Sequence, residues 1–326
     1  MNIEIVRYGT GMASQWDEFI ESSLNGTFLH SRAFFDHNPL NLKDDNSFVF
    51  LKNNKIIGLL PANKYVKDGK TVLNSFLRST YGGFVVGDDA GVVDMINMVE
   101  LLKMDARENN IDEIIIRPSF SIYHRMPVNH IEYAMWMKGF TIKSREIELA
   151  IPITVDYQKY FDSSAARSLK KSIKNGVTVN ENGDLTKYWE ILTTNLKEKH
   201  NATPVHTIDE IVRLIDLVGP HRVKLFTAES NGETIGGILV FLANKKVAHA
   251  QYIAADSDYQ ELRPLNLVTD HIIKWCLQNN FSFFNLGMAC EPGGLELNTG
   301  LSRFKEGFGG RGVLRETMQI DLKNNC

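Results

Sequence analysis

The chain has 326 residues, enough for two domains that each bury a core, and it is 43% hydrophobic and 23% charged with a formal net charge of −3. That balance is globular and excludes a generally basic, polyanion-coating protein, so contact with nucleic acid or a membrane surface has to be local. The opening MNIEIVRYG has no basic segment leading into an apolar stretch, and the longest apolar run, residues 235–243, is too short to span a bilayer, so a cytoplasmic location is expected.

In chain order, residues 3–8 read as a strand, and Trp16, Phe19 and Ile20 mark an amphipathic segment. A hairpin follows, its strands 47–51 and 56–62 flanking Lys52-Asn53-Asn54-Lys55. Beyond Tyr81-Gly-Gly come a helix over 92–108, a buried strand over 113–117, and Lys138-Gly139-Phe140 leading into a strand over 141–153.

The second half repeats this order. Helices are expected over 185–199 and 208–217, then a hairpin of 223–229 with 234–242 around Ser230-Asn231-Gly232-Glu233, and a strand over 247–255. Pro264 suits a first helical turn, and Leu267, Val268, Ile272, Trp275 and Cys276 recur at helical spacing up to Asn279-Asn280. A strand over 281–286 follows, and the Lys305-Glu-Gly-Phe308 run echoes Lys138-Gly139-Phe140. The recurrence reads as an internal duplication with a boundary at residues 153/154, and it predicts an α/β (α+β) protein of two tandem domains, each a mixed twisted sheet flanked by helices.

The segment LELNTGLSRFKEGFGGRG, residues 295–312, carries the densest chemistry. Asn298 and Thr299 offer capping oxygens, Leu301 and Phe304 are expected to face inward, and Lys305 sits late in the helix, where a cation suits the dipole. Gly307-Phe308-Gly309-Gly310 then ends the helix. An ammonium beside bare amides receives a phosphate or the oxyanion of an acyl-transfer intermediate; a helix C-cap followed by a loop is the other reading. Gly307, Gly309 and Gly312 match the letters of a dinucleotide fingerprint, but a helix precedes them and a strand follows, the reverse of what that motif requires.

Other candidates are spread through the second half. Arg167, Lys170, Lys171 and Lys174 form one basic stripe at i, i+3, i+4 and i+7, with Ala166, Leu169 and Ile173 opposite, suited to the phosphates of a nucleotide sugar, a lipid headgroup or tRNA. His249 and Gln251 alternate on one face of an apolar strand with Tyr252 on the other, and all three are expected to line a substrate site. Glu291, directly after a strand, and His206, in a loop that caps the next helix, are the candidate general bases. Cys290 has no local feature that would activate it as a nucleophile. Arg32, Tyr81 and Arg117 in the first half are candidates for an anionic acceptor. Cys276, Cys290 and Cys326 are an odd set without metal-ligand spacing, which suggests reduced thiols and no metal.

The combination GGILVF, VAHAQYIAAD, LRPLNLVTDHIIKWC, FFNLGMACE and LNTGLSRFKEGFGG resembles the FemAB-like branch of the Gcn5-related N-acetyltransferase (GNAT) superfamily, whose members carry two copies of that fold. WDEFIESSLNGTFLHSRAFF is similar to the opening helix and loop of that branch. The resemblance implies transfer of an activated acyl group to an amine, with acyl-CoA (acetyl-CoA) as donor and its pyrophosphate on the loop that opens the helix at Pro264. Arg263, Leu265 and Asn266 then become the cofactor-binding positions, although Arg263 and Leu265 stand where the superfamily has small residues. Phe304-Lys305 matches a Phe-Lys pair of the peptidoglycan-bridge enzymes, which take their aminoacyl group from tRNA.

The expected function is N-acyl transfer to an amino group of a cell-envelope or polysaccharide precursor, a small-molecule or lipid-linked acceptor. The alternatives are aminoacyl transfer from tRNA and a non-catalytic tandem domain that binds a nucleotide-linked sugar. Neither DNA nor a membrane span enters any of these readings.

Overall fold

The computed structural model describes residues 3–75 and 77–323, so Cys326 lies outside the described residues. Two compact units divide the chain: residues 1–146 with 314–326, and residues 147–313. The sequence places the break at 153/154, whereas the chain passes from the first unit to the second inside one strand and returns inside another, so no linker marks either crossing.

The first unit begins with β1 (Ile3–Arg7), α1 (Ala13–Ser22), α2 (Arg32–Asp36) and α3 (Pro39–Lys43). The hairpin of β2 (Phe48–Lys52) and β3 (Lys55–Leu60) turns at Asn53-Asn54, both at positive φ. A second hairpin, β4 (Asn63–Lys67) with β5 (Lys70–Asn74), escaped the sequence reading although Asp68-Gly69 marks its turn. β6 (Val85–Val86), α4 (Val92–Glu108), β7 (Glu113–Ile116), α5 (His130–Met137) and the start of β8 (Thr141–Pro152) follow. One sheet runs β1-β2-β3-β6, and α4 buries Met95, Met98, Val99, Leu102 and Ala106 in a core with Phe48, Phe50 and Ile114. Each of these side chains larger than alanine contributes about 1.5–3 kcal/mol on burial.

The second unit adds α6 (Ser163–Lys174), β9 (Thr178–Asn180), α7 (Leu185–His200), α8 (Ile208–Val218), β10 (Val223–Ser230), β11 (Glu233–Leu242) and β12 (Val247–Ala255). α9 (Pro264–Gln278), β13 (Phe283–Met288), α10 (Thr299–Glu306) and the start of β14 (Arg311–Asp321) complete it. Its strand order is β8-β13-β12-β11-β10-β9, with β12 and β13 parallel and the other described pairs antiparallel. The β10–β11 turn has Asn231 and Gly232 at positive φ, the geometry Asn-Gly selects.

α6 and α9 cover one face of this sheet, where Ala165, Phe226, Ile238, Val240, Ala248, Val268 and Ile272 form the core. α7 packs on β11 and β12 from the other face, close enough that a Cβ at Gly237 would sit 2.6 Å from the Phe226 carbonyl and 3.1 Å from the Tyr188 ring. α6 buries Ala165, Leu169 and Ser172 rather than the Ala166–Leu169–Ile173 line expected, and Ile173 is 57% exposed.

Candidate functional site

β12 and β13 pair only from Val247↔Phe283 to His249↔Asn285, although β12 runs on to Ala255 and β13 to Met288. Both strands change register at this level. On β12 the pairs Val240↔Ala250 and Leu239↔Tyr252 leave Gln251 as an extra residue, and on β13 the ladder with β8 slips between Asn285 and Met288, where Gly287 takes φ +76°. A bulge bends the strand that carries it, so two bulges on neighbouring strands open a wedge between residues 250–255 and 286–288.

The bulge also corrects the expected alternation. Tyr252 lies opposite Leu239 and His249 opposite Phe241, so Tyr252 shares the face of His249, and Gln251 is the displaced residue. On that face Tyr252 Oη accepts the backbone N–H of His206 at 3.2 Å and is hydrogen-bonded to His206 Nδ1 at 2.8 Å. Burial pushes the Tyr252 phenol above its ordinary pKa. α7 holds this stretch in place: Tyr188 Oη donates to the Tyr252 carbonyl at 2.9 Å, Asn195 Nδ2 to the Ala255 carbonyl at 2.9 Å, and Trp189 packs edge-on against the Tyr252 ring. The structure thus brings Tyr252, His206, His249 and Gln251 to one segment of β12.

Glu291 is exposed in a tight loop closed by its N–H to the Glu296 carbonyl and by Asn298 N–H to the Ala289 carbonyl. Cys290 at the foot of this loop is buried, and its sulfur accepts the Ile147 N–H at 3.3 Å, an anchored rather than an attacking thiol.

Lys305 differs from the expected anion receptor. It is 2% exposed, and its ammonium donates to the carbonyl oxygens of Gly287, at 2.9 Å, and Met288. Burial draws its pKa down to about 8, against the opposing influence of Glu148 and Cys290. The glycine run offers no bare nest either. Gly307 N–H bonds Arg303, Phe308 and Gly310 N–H bond Lys305, and Gly309 N–H bonds the Glu306 carbonyl, so the amides complete the C-cap of α10 around Gly309 at φ +84°. Asn298 caps the other end through the Leu301 N–H as expected, but the buried pair is Ser302 and Lys305, with Leu301 37% exposed. Phe304 packs edge-on against Phe308 in the core.

The loop before α9 is a short 3₁₀ helix over residues 257–262 that ends at Arg263 in the left-handed region, followed by Pro264, which has no N–H to offer. Asp256, Asp258 and Glu261 add carboxylates, so Arg263, Leu265 and Asn266 do not form a phosphate cradle, and the expected pyrophosphate site is absent from this loop. The basic stripe lies beside it. Arg167, Lys170, Lys171 and Lys174 are exposed, and Lys171 pairs with Glu261 at 2.6 Å.

The first-half candidates are structural. Arg32 is buried against Tyr8, Trp16 and Phe35 and paired with Asp45 at 2.6 Å and Asp36 at 3.3 Å. Tyr81 sits among Phe120, Tyr123 and His30 and donates to Thr27, while Arg117 donates to Thr317.

Sequence reasoning missed Glu148 and Asn285, both buried, with Asn285 Nδ2 on Glu148 Oε2 at 2.8 Å. For Asn285 the signal was there, a lone polar residue in the apolar strand FFNLGM, whereas Glu148 follows Lys143, Ser144, Arg145 and Glu146 in its strand and does not stand out.

Residues 163–306 match the model of an acetyltransferase (GNAT) domain. The second unit is a GNAT-type acyltransferase domain. No curated protein matches the sequence. Among solved structures, FemX superposes with a TM-score of 0.71 at 13% identity over 97% of this chain and 96% of that one. The L-PGS of Bacillus licheniformis gives 0.60 at 12% identity over 94% and 90%. A tandem GNAT protein from the clavulanic acid biosynthesis pathway gives 0.54 at 9% identity over 98% and 99%. The whole chain therefore has the FemAB-like tandem GNAT fold expected from its sequence. Among the described residues no cluster of metal-ligating side chains occurs, and no helix is long and apolar enough to cross a membrane.

Proposed function

We propose that this GNAT domain transfers an acyl group to the amine of a cell-envelope or polysaccharide precursor, with the reacting carbonyl in the wedge between β12 and β13. The observation that carries the reading is the parting of two parallel strands after His249↔Asn285, which leaves backbone and side chains of β12 open to a donor. Gln251 Oε1, at the bulge, is a buried acceptor without a hydrogen-bond partner, and the amide N–H groups of a pantetheine arm suit it.

Tyr252 and His206 supply the proton acceptor. As the amine attacks the acyl carbonyl, its proton passes to Tyr252 Oη while the phenolic proton moves to His206 Nδ1, so no phenolate accumulates. The tetrahedral intermediate then collapses and expels the donor's thiolate or alkoxide, which takes up the proton returned from His206 through Tyr252. Lys305 has no path to this chemistry except through the backbone it holds.

Acyl-CoA is the proposed donor. Its phosphates meet the exposed Arg167, Lys170 and Lys174 of α6 instead of the acidic loop before α9, so the stripe stands in for the missing cradle. The same stripe favours aminoacyl-tRNA as a second reading, because an extended polyanion matches a row of cations better than a single pyrophosphate does. A further solved structure, the C-terminal domain of a lysylphosphatidylglycerol synthetase from Agrobacterium fabrum with a TM-score of 0.59 at 12% identity, carries a lipid in its name and fits a lipid-linked acceptor. Calorimetric titration with acetyl-CoA and longer acyl-CoAs, beside transfer assays with aminoacyl-tRNA, tests this. Heat and turnover with an acyl-CoA establish the first donor, transfer from tRNA alone establishes the second, and neither removes the enzymatic reading.

A further inference from the structure

We infer that Lys305, Asn285 and Glu148 form a buried positioning network that sets the opening between β12 and β13 by fixing the backbone of Gly287 from both sides. The left-handed region that Gly287 occupies costs glycine little but is one of many conformations open to it, so something has to hold it there. Its N–H donates to Asn285 Oδ1 at 2.9 Å, and its carbonyl accepts from Lys305 Nζ at 2.9 Å. Asn285 is oriented in turn by its bond to Glu148, and Lys305 also takes the Met288 carbonyl.

The position of these bonds gives them a role beyond stability. Asn285 is the last residue of β13 paired with β12, and Gly287 is where the ladder with β8 slips. A Gly287 relaxed to ordinary strand geometry lets β13 continue alongside β12 and closes the wedge. The register with β8 resumes at Met288↔Glu148, so the carboxylate that orients Asn285 stands on the strand that receives β13 after the bend. Two α10 features place the ammonium: the Asn298 cap at one end and the glycine C-cap at the other.

Burying an ammonium is costly, and a hydrocarbon of equal length would fill the space without that cost. A lysine that places two of its donors on backbone carbonyls is therefore retained for where it puts them. Lys305 acts through Gly287 and Met288 and is a positioning residue. This inference rests on the acyl-transfer reading only for the identity of the ligand that the wedge grips.

The test pairs Lys305→Met with Asn285→Ala, singly and together, each checked for a cooperative thermal transition. Hydrogen exchange in the ligand-free protein reads the wedge directly. Faster exchange of residues 250–255 and 286–289 in either single variant, with other segments unchanged, is expected, and unchanged exchange overturns the inference. For acetyl-CoA, each single variant raises KM about tenfold with kcat within about threefold, and the double variant is no worse than the weaker single, as expected of two residues holding one group. Additive losses near a hundredfold, or a fall in kcat at unchanged KM, overturn it by placing Lys305 on the reacting atoms. If Lys305→Met does not fold, Asn285→Ala alone carries both readouts. A wild-type protein that binds no acyl-CoA sinks the proposed donor, while the ligand-free exchange still decides the network.

Discussion

The phenol of Tyr252 is hydrogen-bonded to Nδ1 of His206 across 2.8 Å while accepting the backbone N–H of the same histidine at 3.2 Å, so one residue fixes the position of the other at two points. This two-point contact joins the splayed half of β12 to the loop that precedes α8, and neither side chain can rotate without losing a bond made in a buried setting.

Removing the relay while keeping the packing separates chemistry from binding. Tyr252→Phe and His206→Gln are each expected to lower kcat by about 10²-fold or more, the usual scale for a lost general base, with donor affinity unchanged. Glu291→Gln is expected to leave the rate within about twofold because that carboxylate faces solvent in its own loop. The reverse pattern in steady-state kinetics assigns the base to Glu291.

The basic stripe divides into unequal members. Lys171 is already paired with Glu261, an exposed ion pair of little net worth, so Lys171→Ala is expected to change donor affinity by less than about twofold. Lys170→Glu with Lys174→Glu weakens binding of acyl-CoA about tenfold at low salt, and the loss shrinks as ionic strength rises through the screening range. Titrations at two salt concentrations check this. For tRNA the slope of affinity against salt is far steeper, which separates the two donors by the same measurement.

Acid destabilises the first unit through His30. Its ring is fully buried with Nδ1 accepting from the Thr27 N–H and Nε2 on the Gly82 carbonyl, and burial lowers its pKa to about 4 despite both bonds. The unfolded chain binds its proton near pH 6.5, so the folded state loses stability as pH falls from about 6.5 to about 4 and loses no more below that. The shift corresponds to roughly 3 kcal/mol. Urea denaturation of wild type and His30→Gln at pH 7 and pH 4 is expected to show a gap between them that narrows by about that amount in acid.

The sequence made local rules legible and left their interruption hidden. Asn-Gly at Asn231-Gly232 gave the β10–β11 hairpin, and the 3.6-residue period gave α4 and α9 nearly to their ends. A strict two-residue alternation placed Tyr252 on the wrong face because the bulge at Gln251 is created by pairing with β11, and nothing in VAHAQYIAAD marks it. For Lys305 the sequence points to an anion, and in the structure its ammonium donates to two backbone carbonyls. Its partners are carbonyls on a strand that precedes it by a loop, and a carbonyl acceptor leaves no residue signature.

The expected echo of Lys138-Gly139-Phe140 in Lys305-Glu-Gly-Phe308 is also displaced. In α5 the cap closes by Phe140 N–H on Met135 and Gly139 N–H on Trp136, and in α10 by Gly310 N–H on Lys305 and Gly309 N–H on Glu306. Gly139 at φ +88° therefore corresponds to Gly309 at φ +84°, and Lys305 to Met135. The geometry repeats while the letters slip.

That correspondence separates the two original readings of the glycine run. If it is a helix stop, Gly309→Ala strains a left-handed position and sets a Cβ 2.8 Å from the Tyr160 Cβ, costing about 1–2 kcal/mol or more of stability, with donor affinity unchanged. If its amides bind an anion, the same substitution weakens the donor. Chemical denaturation beside calorimetric titration of Gly309→Ala distinguishes them, and the filled hydrogen bonds of residues 307–310 predict the first outcome. The comparison substitution, Gly312→Ala, lies past the cap where a Cβ meets only the flexible end of Ile147 at 3.0 Å, and it is expected to cost less than about 1 kcal/mol.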